Sequence, residues 1–184
     1  MVGMILSTDM AKHMQDLTQF KNRMESKSIK SDLHNGHLFI DKTDATTTFE
    51  TQQQLLEMCM HTCDLSYATR DFQIVKHWVY LLFEEFFNQG DIEKSSGLPV
   101  SFLCDRETTT IAPNQPGFMN FIVLPLFKAV SQVMPECDIY LQGAIQNSAT
   151  WKEYQETDSD KQVYKKKNDV SSDDSDLSHK IASL

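Results

Sequence analysis

Apolar side chains recur at helical spacing near the start of the chain. Between residues 1 and 25, Met10, Met14, Leu17 and Met24 follow one another at intervals of four, three and seven residues. Such intervals place side chains on one face of an α-helix. The pattern therefore predicts a helix over this segment.

A polar stretch, residues 26–48, separates this helix from the next. Its sequence His34-Asn35-Gly36-His37 predicts a turn, and the two histidines form only a weak metal-binding pattern. A second helix is predicted from about Phe49 to Leu65, because a set of apolar and small residues falls on one of its sides. These residues are Leu55, Met58, Cys59, Thr62 and Leu65.

A third helix is predicted from Asp71, as its N-cap, to Gln89. Gly90 follows and fits a left-handed C-terminal cap. Apolar residues surround nearly the whole circumference of this helix, which is typical of a central, buried helix. They are Trp78, Val79, Leu81, Leu82, Phe83, Phe86 and Phe87.

All five prolines lie in the second half of the chain. After a mostly polar loop, 91–113, a fourth helix is predicted over 114–134, with Pro116 in its first turn and a kink at Pro125. A last helix is predicted over 135–155. No strand-like alternation of any length is present, so we expect an all-α fold, a compact multi-helix bundle.

Length and composition fit one domain with a polar extension. The chain has 184 residues, of which 40% are hydrophobic, and a formal net charge of −9. One domain with a sizeable core is expected over residues 1–156. Residues 157–184 are rich in Ser, Asp and Lys, which predicts a disordered tail. The acidic balance argues against a nucleic-acid partner.

The location of the protein is predicted from features that the sequence lacks. No apolar run approaches the roughly 20 residues that span a bilayer, and the first residues lack the pattern of a signal peptide. The four cysteines are therefore interpreted as reduced thiols, typical of the cytoplasm. We predict a cytoplasmic protein with no membrane segment.

The end of the second helix holds the first candidate for chemistry. Asp64 follows His61 by three residues, so both side chains could face one ion. The alternative is that Asp64 caps the following turn and His61 forms a hydrogen bond. Cys59 and Cys63 are four residues apart, which is not the spacing of a zinc knuckle, and they are expected to be buried free thiols.

Two further groups of residues are candidates for binding. Gln115 and Phe118 share one helical face, and Gly117 between them allows a close approach. An amide that both donates and accepts suits a purine edge, and a phenyl ring can stack on its face; the alternative is an exposed glutamine beside a core ring. At least one of Glu84 and Glu85 is expected to point inward, because their helix leaves little exposed face.

Several motifs together resemble one family. In order, these are STDMAKHM (7–14), HTCDLS (61–66), EEFFNQGD (84–91), QPGF (115–118) and IVLPL (122–126). Their order and spacing resemble the C-terminal half of the catalytic domain of class I 3′,5′-cyclic nucleotide phosphodiesterases, from about Met1 to Tyr154. The resemblance implies that the chain is the C-terminal part of an HD/phosphodiesterase-type helical catalytic domain. Such a domain hydrolyses cyclic AMP or cyclic GMP to the 5′-monophosphate by a two-metal mechanism.

The resemblance also implies roles for individual residues. Asp64 matches a ligand of the first of two divalent metals (Zn²⁺, and Mg²⁺ or Mn²⁺), and Glu85 matches a glutamate that orients the general-acid histidine. Gln115 matches the glutamine that hydrogen-bonds the purine. Phe118 and Leu82 match the aromatic and the aliphatic half of the clamp that holds the base. Further positions match the pocket wall or lie near the purine; they are Met10, Leu65, Tyr67, Phe83 and Phe86.

The sequence also departs from the family. Tyr67, Pro116 and Leu124 replace more usual residues, and neither of the family motifs H-N-x-x-H and H-D-x-x-H-x-G occurs in this sequence. The chain alone is therefore expected to be inactive. The alternative is a catalytically dead helical module that binds nucleotide, associates with itself or pairs with another phosphodiesterase half. The preference between cyclic AMP and cyclic GMP stays open.

Overall fold

The computed structural model describes residues 2–26, 29–32, 37–40, 45–157 and 160. The chain divides into two compact units. One lies within Met1–Val75 and Pro113–Glu153, and the other within Lys76–Ala112 and Tyr154–Leu184. Among the described residues, no helix is long and apolar enough to cross a membrane.

Helices dominate the described residues, which confirms the predicted all-α class. The α-helices are α1 Val2–Leu6, α2 His13–Glu25, α3 Ala45–Asp64, α4 Phe72–Ser95, α5 Gln115–Phe118, α6 Leu124–Val133 and α7 Asp138–Glu153. Short 3₁₀ segments cover Met10–Lys12, Leu65–Thr69, Ala112–Asn114 and Pro135–Cys137, and a π-helical segment covers Met119–Val123.

A small hairpin interrupts the helical pattern and corrects the expectation that the chain has no strand. Strands β1 (Ile29–Asp32) and β2 (His37–Ile40) pair antiparallel, with Ile29 opposite Ile40 and Asp32 opposite His37. Each strand has four residues, which is too short for its alternation to stand out in the sequence. Of the predicted turn, residues 34–36 and the side chain of His37 lie outside the described residues.

The prediction of one continuous helix in the N-terminal segment is wrong. The structure has a short helix, a turn and a second helix there. The Ser7 hydroxyl donates to the Met4 and Glu57 carbonyls, at 2.8 and 3.1 Å. The Asp9 carboxylate then accepts from the Ala11 amide at 3.0 Å, which starts a new helical turn. This side-chain chemistry interrupts a segment whose apolar spacing alone favours a continuous helix.

Helix α3 has the predicted inner face. Its Leu55, Met58 and Thr62 are buried, and Leu65 just beyond it is buried as well. The helix begins at Ala45, four residues before the predicted start. It packs against α1, α2 and α6 within the first unit, so its C-terminal end, where Asp64 lies, is fixed.

Helix α4 starts as predicted but continues past Gly90. The Asp71 carboxylate accepts from the Gln73 amide at 2.9 Å, which is an N-cap. The predicted cap at Gly90 is wrong, because the helix ends only at Ser95. Gly97 instead has φ 70°, and the amides of Gly97 and Leu98 donate to carbonyls of the last turn, as in a Schellman motif.

The glycine at position 90 is explained by a close backbone contact within the second unit. A Cβ at this position would overlap the backbone carbonyl of Cys104. The helix therefore has a glycine where a loop crosses it in direct backbone contact. Arg106, from the same loop, binds Asp91 at 2.6 Å and lies over the Phe87 ring, 5.3 Å from its centroid.

The expectation that α4 is buried all round is wrong in part. Val79, Phe83 and Phe87 are buried, but Trp78 is 54% exposed and Leu81 is 40% exposed. One side of this helix segment therefore has no cover among the described residues.

The predicted fourth helix consists of three consecutive segments, namely α5, the π-helical segment and α6. Pro116 lies in the first turn of α5, as predicted. Pro125 cannot donate the amide hydrogen that an α-helix directs one turn back, and the wider π-helical turn of Met119–Val123 precedes it. The backbone thus accommodates the proline by changing its hydrogen-bond register.

Helix α7 confirms most of the predicted last helix. Ala144, Ser148 and Trp151 are buried, whereas Ile145 is 46% exposed. The helix packs against α5, α6 and the turn Leu65–Thr69.

Only two residues of the predicted disordered tail are described, Thr157 and Asp160. Asp160 is buried and forms an ion pair with Lys76 at 2.8 Å. It also accepts hydrogen bonds from Tyr154 and Thr157, and these partners lower the pKa of its carboxyl. Residues 161–184 lie outside the described part, so disorder there stays a prediction.

Candidate nucleotide and metal site

Asp64 ends α3 with its carboxylate in solvent. The side chain is exposed and makes no capping hydrogen bond to the turn that follows. The capping alternative for Asp64 is therefore not found in the structure. The carboxylate is accessible to a ligand from outside the described residues.

His61 is paired with another histidine rather than with Asp64. The His13 Nδ1 and His61 Nε2 atoms are 2.7 Å apart, and both residues are at least 97% buried. Burial, followed by the neighbouring His61 and Lys21, lowers the pKa of His13 to about 4. Burial also lowers the pKa of His61, against the opposing effect of Asp64. The hydrogen-bonded alternative for His61 is thus the one that the structure shows.

The buried histidine pair predicts that stability depends on pH. The pKa of His13 is about 4 in the folded chain, against an ordinary value of 6.5. Between these values the unfolded chain binds more protons than the folded chain. The free energy of unfolding is therefore expected to fall as the pH falls from about 7 towards 4. Urea denaturation followed by circular dichroism at several pH values measures this slope.

Two variants separate the pair from other acid-sensitive groups. His13→Gln keeps a side chain that can hydrogen-bond to His61, and we expect it to reduce the slope. His77 is exposed, so His77→Gln should retain the slope of the original chain. Equal slopes in the original chain and in His13→Gln would contradict this assignment.

The described residues do not by themselves form a metal centre. Across residues 2–26, 29–32, 37–40, 45–157 and 160, no group of three or more His, Cys, Asp or Glu side chains could hold a metal ion. Asp64 would be a single ligand, because His61 is held by His13.

The turn after Asp64 carries two of the predicted pocket residues. Leu65 is buried and Tyr67 is half-buried within the 3₁₀ segment Leu65–Thr69. Burial, with a smaller effect from Asp64, raises the pKa of Tyr67 to about 12. Tyr67 is therefore a neutral phenol at physiological pH.

Helix α7 holds this turn in place through residues that the sequence analysis did not single out. The buried Asn147 amide donates to the carbonyls of Ala68 and Arg70, at 2.9 and 2.8 Å. Gly143 lies directly against the Thr69 carbonyl, where a Cβ would overlap the oxygen. Glycine and asparagine both have low helix propensity. Their presence inside a predicted helix is the sequence feature that could have marked these two positions as contacts to another element.

Gln115 and Phe118 are one turn apart, as predicted, on α5. Gln115 is 5% exposed, and Phe118 is half-buried. The space beside Gly117 is open, since a Cβ there would meet no atom within 4 Å. The alternative of an exposed glutamine beside a core ring is therefore wrong, because Gln115 is more deeply buried than Phe118.

The other predicted pocket residues of α4 lie in the second unit. Phe83 is buried, while Leu82 and Phe86 are half-buried. The Phe83 and Phe86 rings pack edge to face, with centroids 5.6 Å apart. Glu85 is exposed, whereas Glu84 is half-buried and is the glutamate that points less to solvent. In the first unit, Met10 is 42% exposed.

The cysteines are all free, but two expected to be buried are not. Cys63 is exposed and Cys59 is half-buried. The helical face that carries them borders a cavity instead of the core of the unit.

The described residues are mainly α-helical, with an exposed aspartate at the end of one helix and a buried glutamine at the start of another. The chain belongs to the 3′,5′-cyclic nucleotide phosphodiesterase family, whose sequence profile matches residues 1–144. This match confirms the family resemblance.

The relatives include proteins named as cyclic-AMP phosphodiesterases and proteins named as cGMP-specific phosphodiesterases. A Drosophila melanogaster 3′,5′-cyclic-AMP phosphodiesterase, isoform F, is 40% identical over 127 residues, which cover 69% of this chain and 18% of the relative. The human high affinity cGMP-specific 3′,5′-cyclic phosphodiesterase 9A is 32% identical over 171 residues, which cover 92% of this chain and 26% of the relative. The chain thus spans about a fifth to a quarter of these relatives.

Solved structures agree with the family. LmjPDEB1 in complex with IBMX superposes with a TM-score of 0.68 at 26% identity, over 83% of this chain and 41% of that one. The phosphodiesterase domain of the Salpingoeca rosetta rhodopsin phosphodiesterase gives 0.67 at 29% identity, over 83% and 43%. Family membership suggests dependence on divalent metal ions.

Proposed function

We propose that this chain supplies the purine-binding wall and one metal-binding carboxylate of an enzyme that hydrolyses 3′,5′-cyclic nucleotides to 5′-monophosphates. The observation that carries the proposal is the burial of Gln115, in a chain of this family, one turn before the half-buried ring of Phe118. A buried amide has a fixed orientation, so it can recognise an edge of a base.

The base is the part of the substrate that these residues would bind. The Gln115 amide can donate one hydrogen bond and accept another from a purine. The Phe118 ring offers a face for stacking, and Leu82 is proposed as the aliphatic side of the clamp. The remaining wall is proposed to consist of Met10, Leu65, Tyr67, Phe83 and Phe86.

Asp64 is proposed as the one ligand that this chain gives to the first metal, with Zn²⁺ expected there and Mg²⁺ or Mn²⁺ at the second site. Its exposed, uncapped carboxylate supports this role. Two such metals stabilise both attacking and leaving oxygens of a phosphoryl transfer. Glu85 is proposed as a positioning residue that orients a general-acid histidine. A cytoplasmic location is proposed as well, which the four free thiols support.

Removing the Gln115 amide is expected to weaken nucleotide binding. Loss of a buried hydrogen-bonding group that faces a ligand costs about 1–3 kcal/mol, so Gln115→Ala should raise the dissociation constant for 5′-AMP or 5′-GMP at least about fivefold. Isothermal titration calorimetry with the 184-residue chain measures this change. Gln142→Ala, on an exposed glutamine of α7, is the matched control and should bind like the original chain. Equal affinities in both variants would sink the proposal.

A second candidate is a nucleotide-binding or interaction module without catalysis. It is favoured by the lack of a metal-binding group among the described residues. Exposed Trp78 and Leu81 on α4 support self-association, which sedimentation velocity measures. In an assay with Mg²⁺, no hydrolysis by the chain alone is expected for both candidates, so self-association is the measurement that favours this module. Turnover that Asp64→Ala abolishes supports the enzyme.

A further inference from the structure

Three of the four cysteines border one cavity in the first unit. Cys59 and Cys63 reach it from the last turns of α3, and Cys137 reaches it from just before α7. The cavity has a volume of about 360 Å³, which is within the range of small-molecule pockets. We call it the thiol cavity.

The thiols of this cavity differ in their exposure. Cys59 and Cys137 are half-buried. Cys63 is exposed at the surface of the same cavity. Cys63 is therefore the thiol best placed to meet a molecule that enters.

The rest of the lining selects the kind of molecule. The side chains of Phe127, Val130 and Met134 give the cavity an apolar wall. Arg70 also lines it, and its guanidinium makes no ion pair within the described ranges. The apolar wall suits a ligand with a hydrocarbon tail. The accessible thiol and the cation suit an electrophilic carbonyl group on the same ligand.

We propose that the thiol cavity binds an apolar α,β-unsaturated ketone and that Cys63 forms a thioether with its β-carbon. The Cys63 sulfur loses its proton to solvent and bonds to the β-carbon. The electron pair of the carbon–carbon double bond moves to give the enolate, whose oxygen accepts a hydrogen bond from Arg70. Solvent then returns a proton to the α-carbon, so the addition needs no oxidant or reductant.

The test compares two ketones that have the same reactive group but alkyl groups of different length. The full-length protein is treated with octyl vinyl ketone or with methyl vinyl ketone, and peptide mass spectrometry gives the rate of alkylation at each cysteine. Each buried methylene is worth roughly a factor of four in affinity. After normalisation to the rates with glutathione, Cys63 should therefore react at least about tenfold faster with the octyl compound. Cys104, which is buried in the second unit, is the internal control and should stay unmodified.

Two further measurements address the cavity itself. Met134→Trp reduces the space beside the thiol and should remove the preference for the octyl chain while methyl vinyl ketone still labels Cys63. Octyl ethyl ketone, the saturated analogue, should slow labelling of the original chain by octyl vinyl ketone, and this arm needs no variant. Equal normalised rates for the two ketones, no protection by the analogue, or first reaction at Cys59 or Cys137 would each overturn the proposal.

Discussion

Replacing Trp151 by alanine is expected to lower the free energy of unfolding by about 3–5 kcal/mol. Trp151 is 2% exposed on the inner face of α7, and its ring meets the Phe72 ring edge to face, with centroids 4.9 Å apart. Truncation removes a large apolar surface and leaves a cavity that the packed helices can fill only in part. Urea denaturation followed by circular dichroism measures the loss.

The second tryptophan of the chain is a matched control. Trp78 is 54% exposed on α4, so Trp78→Ala leaves no cavity. Its effect is expected to stay within about 0.5 kcal/mol, as for most surface substitutions. Losses of equal size in the two variants would show that burial in this structure does not account for the stability of the chain.

Replacing Gly143 by alanine is expected to cost about 3 kcal/mol, the upper end of the range for overpacking. A Cβ at Gly143 would overlap the Thr69 carbonyl oxygen and would lie 3.2 Å from the Thr69 carbonyl carbon. Backbone atoms cannot rotate away, so α7 or the turn Leu65–Thr69 must move. That turn follows Asp64 directly, and nucleotide affinity is therefore expected to fall as well.

Gly117→Ala is the control for stability. The site is also helical, and a Cβ there would meet no atom within 4 Å. Without a clash, alanine is expected to stabilise the helix by roughly 0.5–1 kcal/mol. Denaturation midpoints of the two variants should therefore shift in opposite directions. Two shifts in the same direction would contradict the close approach at Gly143.

The candidate site was predictable where its residues lie in short local motifs. Gln115 and Phe118 were paired from their spacing, and the structure places them one turn apart. The burial of Gln115 was not predictable, because it depends on elements far away in sequence. Likewise, Asn147 fixes the turn after Asp64 across a separation of nearly eighty residues.

Two glycines show the limit of sequence reasoning about helix ends. Gly90 and Gly97 both suit a left-handed cap by type. Of the two, only Gly97 has a positive φ, while Gly90 lies inside α4, where its missing Cβ leaves room for the backbone of Cys104. Backbone contact between distant segments leaves no periodic mark in the sequence.

Sequence patterns alone predicted the helical class, the family, the cap at Asp71 and the place of Pro116 in the first turn of a helix. Each of these depends on neighbouring residues, whose spacing and hydrogen-bonding groups act within one or two turns. The tertiary structure alone decided that His61 pairs with His13, that Asp64 stays in solvent and that Cys63 borders a cavity. Those outcomes depend on which surfaces meet when helices pack, because burial and partner choice are properties of the whole fold.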